Sequence, residues 1–86
     1  MTFQGAVVKE QGVTFAVVIV KKSVIDNHIE ADEAIMGFQQ FFPGLPIVLM
    51  AQAHHGAPTY YGRRDISKFL ASVPLQAIPW KKYSTR

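Results

Sequence analysis

From Val13 to Val20 the chain reads Val-Thr-Phe-Ala-Val-Val-Ile-Val, and a strand drawn through it has no polar side. Successive side chains of a strand point to opposite faces. One face is then Val13, Phe15, Val17 and Ile19, and the other Thr14, Ala16, Val18 and Val20. Such a strand belongs in the interior of a sheet covered on both sides. Pro46–Gln52 repeats the pattern, with Ile47, Leu49 and Ala51 against Val48 and Met50. A chain of 86 residues must therefore find cover for two doubly apolar strands, with little surface to spare.

The remaining segments supply that cover. Phe3–Glu10 carries Ala6-Val7-Val8 and turns polar at Glu10-Gln11-Gly12, so with Val13–Lys22 it reads as a hairpin. Residues 23–44 read as a helix, with Ala31, Ala34, Ile35, Phe38 and Phe41 or Phe42 on one stripe. Its start has two readings, because Ser23–Asp26 and Asn27–Glu30 both match the capping-box spacing. Glu30, Asp32 and Glu33 complement the positive end of the helix dipole, and Phe42-Pro43-Gly44 stops the helix. The third strand, Pro46–Gln52, then runs parallel to the second through a right-handed crossover.

After a turn at His54–Pro58, Thr59-Tyr60-Tyr61 is a fourth strand and closes a second hairpin. From Arg63 the spacing of Ile66, Phe69, Leu70 and Val73 is helical, ending at Pro74. Leu75–Arg86 reads as an extended tail packed through Ile78 and Trp80. The expected architecture is a single α/β (α+β) domain over residues 1–86. It has two layers, a mixed four-stranded sheet with two helices, in the order β-β-α-β-β-α plus a C-terminal extension. With both helices on one face, the other apolar face needs the tail and a second copy of the chain, so a homodimer is expected.

Composition narrows the function classes. The chain has no cysteine, which removes disulfides, thiol redox chemistry and cysteine metal sites. The hydrophobic fraction of 49% argues against disorder. The start lacks the pattern of a signal peptide, and the longest apolar runs, Phe15–Val20 and Leu45–Ala51, fall short of the ~20 residues a spanning helix needs. No membrane partner and a cytoplasmic location are therefore expected. Charge is unevenly spread. Residues 1–33 hold three basic and five acidic side chains, a net of −2, and residues 34–86 hold six and one, a net of +5. That polarity suits either a basic binding face or a self-complementary surface.

Chemically capable side chains gather between Ala53 and Arg64. His54 and His55 are adjacent, and no further histidine stands at a ligating spacing, so no metal and no cofactor are expected. Gly62, Arg63 and Arg64 open a helix with two guanidinium groups beside free backbone N–H groups, an arrangement suited to phosphate or carboxylate. Tyr61 adds a ring on which a base can stack. Against this, Asp65 can satisfy both the dipole and an arginine. The stretch Pro58-Thr59-Tyr60-Tyr61-Gly62 leading into Asp65-Ile66 and Phe69-Leu70 resembles the C-terminal part of thioredoxin-like domains. That resemblance implies a strand-to-helix ending; the family's active-site cysteines are absent, so its redox activity is not implied.

Three functional readings follow in order. The first is a non-catalytic binding or assembly module that self-associates through sheet faces or edges. The second is a weak anionic-ligand or nucleic-acid binder at Gly62–Arg64 with Tyr61. The third is a small enzyme using His54 or His55 as acid–base, with its pocket at a dimer interface.

Overall fold

The structure, a computed structural model, describes residues 2–10, 12–52 and 57–84. Five strands form one mixed sheet: β1 (Thr2–Glu10), β2 (Val13–Ile19), β3 (Ile47–Ala51), β4 (Thr59–Tyr61) and β5 (Lys81–Ser84), in the spatial order β4-β3-β2-β1-β5. The helices are α1 (Lys22–Asp26), α2 (His28–Phe38) and α3 (Arg64–Leu70), with a 3-10 turn at Leu75–Ala77. This is the expected α+β class, enlarged by one strand and one helix.

Both additions have local causes. The expected helix over 23–44 is interrupted at Asn27, whose backbone is extended (φ −112°, ψ 109°) and whose Oδ1 accepts from the N–H groups of Ile29 and Glu30, each at 3.1 Å. The cap of α2 therefore separates it from α1. Of the two candidate helix starts Asn27 is used as a cap, whereas Ser23 lies inside α1, which begins at Lys22 after Lys21 with no side-chain cap. The tail forms β5, antiparallel to β1 from Thr2↔Ser84 to Gly5↔Lys81. Tyr83 anchors it by stacking on Phe3, with ring centroids 5.1 Å apart and planes 9° from parallel.

The β1–β2 hairpin runs in register from Gly5↔Val18 to Glu10↔Val13, and Gly12 takes the positive φ (+80°) that its tight turn requires. β2 and β3 are parallel, joined by the crossover that contains α1 and α2. In the loop before β3, Gln39 Nε2 donates to the carbonyls of Phe42 and Leu45 at 2.9 and 2.8 Å. β4 returns antiparallel to β3.

Helices cover both sheet faces, so the expected two layers with one open face become three. On the first face Phe3, Ala16, Val18, Ile47 and Leu49 pack with Ile25, Ala31, Phe38 and Phe42. On the second, Phe15, Val17, Val48 and Met50 pack with Ile66, Leu70 and Ile78. The doubly apolar strands β2 and β3 are thus buried on both sides within one chain. Among the described residues neither sheet face lacks a covering helix.

Candidate functional site

Tyr60 and Tyr61, neighbours on β4, point to opposite faces. Tyr61 lies beside the first-face helices, where its hydroxyl donates to Asp32 Oδ1 at 2.8 Å and its ring centroid is 5.6 Å from that of His28. That hydrogen bond, reinforced by slight burial and the carboxylate's charge, raises the Tyr61 pKa. Tyr60 packs into the second-face core, where burial raises its pKa and its hydroxyl meets no hydrogen-bond partner.

Gly62 has a structural role. A Cβ built there would lie 2.9 Å from Val48 Cγ2 and 3.0 Å from the Ile47 carbonyl oxygen, at φ +155°. The close passage of chain over β3 needs a glycine. Arg63 is engaged within the chain: its Nε and Nη2 grip the two oxygens of Asp65 at 3.2 and 2.7 Å. This fork raises the Arg63 pKa and lowers that of Asp65. Of the two guanidinium groups expected at an anion site, only Arg64 is exposed and in no ion pair among the described residues. Tyr61 turns toward the first face, whereas α3 packs on the second. His54 and His55 lie outside the described residues.

Described residues line two concavities on the second face. A small one of about 140 Å³ sits between Glu10, Phe15, Asp65 and Phe69. A shallower groove of about 370 Å³ is bordered by Gln4, Gln52, Gln76 and Trp80, with Ile19 and Met50 in its floor. The Trp80 indole N–H is spent on the Leu75 carbonyl at 3.1 Å. The groove therefore offers amides and apolar surface, with no charged group among the described residues of its lining. The pairing of Ile19 with Met50 in its floor becomes visible only with the strand register. Among the described residues no three His, Asp or Glu side chains come together as a metal site. No described helix is long and apolar enough to cross a membrane.

A backbone feature accompanies these side chains. The N–H groups of Ala16 and Val20 donate toward β3, to Pro46 and Met50. Strand geometry then turns Phe15 and Val17 toward β1, where they meet Val8 and Ala6. The alternate residues Phe3, Gly5, Val7 and Lys9 direct their N–H and C=O groups away from β2. Phe3 and Gly5 are paired with β5, but the ladder stops at Gly5↔Lys81. One further step would place Pro79 opposite Val7, and proline has no N–H to give. Trp80 instead donates its N–H to Ile78 at 2.8 Å, turning the chain out of the sheet. Among the described residues no strand pairs with the outward backbone of Val7 and Lys9, and the Val7 residue is 43% exposed.

Comparison with protein-family models, with curated proteins and with solved structures returns no match to this chain.

Proposed function

We propose that the protein is a small non-catalytic assembly module, self-associating in the cytoplasm through the free half of the β1 edge. The observation that carries this reading is the outward backbone of Val7 and Lys9, which no strand among the described residues pairs with and which lies beyond the point where β5 stops. Open edges of this kind accept further strands. With both faces covered, an edge is the route to association that keeps the helices in place. The test is light scattering on the 9.6 kDa chain, with dimer mass expected at micromolar concentration. Val7→Pro should return it to monomer mass with unchanged circular dichroism, because the lost N–H points off the sheet. Monomer mass for the unaltered chain sinks the proposal.

A second reading, weak binding of phosphate-bearing ligands or nucleic acid, draws on Arg64 and Lys68. They stand one turn apart on α3, both exposed and outside the ion pairs of the described residues. Binding to single-stranded oligonucleotides should fall steeply with added salt and weaken further in Arg64→Ala/Lys68→Ala. Binding that ignores salt removes this reading.

A further inference from the structure

Resting on the assembly reading, we infer that the occupant of the open β1 edge is the same edge of a second copy. The two β1 strands run antiparallel about a two-fold axis at Val8 and join two five-stranded sheets into one of ten strands. The register follows from which residues face outward. Val7 and Lys9 present outward N–H and C=O groups, whereas Ala6, Val8 and Glu10 spend theirs on β2. In an antiparallel pair, outward residues must meet outward residues. Setting Val7 opposite Lys9 of the second copy makes two bonded pairs, one on each side of the axis, and uses all four pairs of N–H and C=O groups. Setting Lys9 opposite Lys9 makes one bonded pair and places like charges face to face, which is unfavourable. Setting Val7 opposite Val7 also makes one, and drives each second Lys9 onto Gly5, which β5 already occupies.

The chosen register fits the space left. The free stretch runs from Ala6, just beyond the last β5 pair, to Glu10, the last residue before the turn. Its antiparallel copy covers those same positions and no others, with Ala6 opposite Glu10 of the second copy. Charge also agrees. Glu10 of the second copy enters the lane occupied by β5, on the second face and two residues beyond Lys82. At ~3.4 Å per residue that is about 7 Å, within reach of two long side chains. The aliphatic stem of Lys9 of the second copy lies across the exposed Val7. Both contacts occur twice by symmetry. An unrelated extended peptide would satisfy the backbone groups without these charge and length matches.

The absence of cysteine from the chain makes the register directly testable. In Val8→Cys, the two introduced thiols face each other across the axis in a non-bonded pair. Their Cα atoms are about 4.5 Å apart, inside the disulfide range. In Lys9→Cys the Cα atoms are about 8 Å apart, too far for a bridge. Under mild oxidation Val8→Cys should convert almost completely to a covalent dimer and Lys9→Cys should stay monomeric on a non-reducing gel. Hydrogen exchange on the unaltered chain gives a second reading that needs no variant: the Val7 and Lys9 amides should both gain protection as concentration rises. A dimer by light scattering in which Lys9→Cys cross-links and Val8→Cys does not, or in which only one of the two amides is protected, overturns this register and leaves self-association standing. A monomer throughout overturns both.

Discussion

Gly62 shows how a residue that looks like part of a ligand site serves the fold instead. Beside two arginines at a helix entrance, a glycine suggests a phosphate cradle. Its nearest neighbours are Val48 and the Ile47 carbonyl, and no side chain fits between them. Gly62→Ala should lower unfolding stability by roughly 1–3 kcal/mol, read from a urea melt, through the strained φ and the displaced β3. If the melt is unchanged, the close passage is not needed. Other residue-level features were legible beforehand. The opposed directions of Tyr60 and Tyr61 follow from strand alternation, and the Arg63–Asp65 pair was one of the two roles open to Asp65. The meeting of Tyr61 with Asp32 was not legible, because residues 29 apart in sequence meet only through the crossover.

Among the elements, β2, β3 and the β1–β2 hairpin could be read from sequence because each repeats one pattern over its length. Asn27 was visible as a helix start, but two capping boxes in a row do not say whether one helix or two will form. β5 was hidden. Lys81-Lys82-Tyr83-Ser84 has one apolar residue, and its partner lies at the other end of the sequence. The open half of the β1 edge was hidden for the same reason, since it is defined by where β5 stops. Pro79 sets that stop. Pro79→Ala restores an N–H opposite Val7, so β5 should lengthen by a bonded pair and compete with the second copy. The expected result is a dimer dissociation constant raised at least several-fold in sedimentation equilibrium, with Val7 amide protection that no longer depends on concentration. An unchanged constant would mean that Pro79 does not control the edge.

For the whole molecule, two doubly apolar strands required two covering layers, and that requirement was legible. What misled was the assignment of both helices to one face, since helical spacing says which side of a helix is apolar and nothing about which side of a sheet it meets. The dimer argument changed with it, from an uncovered face to an unfinished edge. The charge polarity found in the sequence also takes on a spatial meaning. Glu30, Asp32 and Glu33 lie on α2 over the first face, while Arg64 and Lys68 lie on α3 over the second.

The pairing of Thr2 with Ser84 also bears on how the molecule opens and closes in time. Hairpins between neighbouring strands form within microseconds, whereas joining segments so distant in sequence carries the loop-closure entropy of nearly the whole chain. β5 should dock last on folding and leave first under native conditions, with the stacked rings of Phe3 and Tyr83 as the latch. Native-state hydrogen exchange should show the Tyr83 amide exchanging through a partial opening, well before those of Val17 and Val48, which wait for global unfolding. Each such opening bares the outer edge of β1 from Thr2 to Gly5 for a moment. The seam that makes the sheet five strands wide is then also the point where a chain caught half-open meets its neighbours.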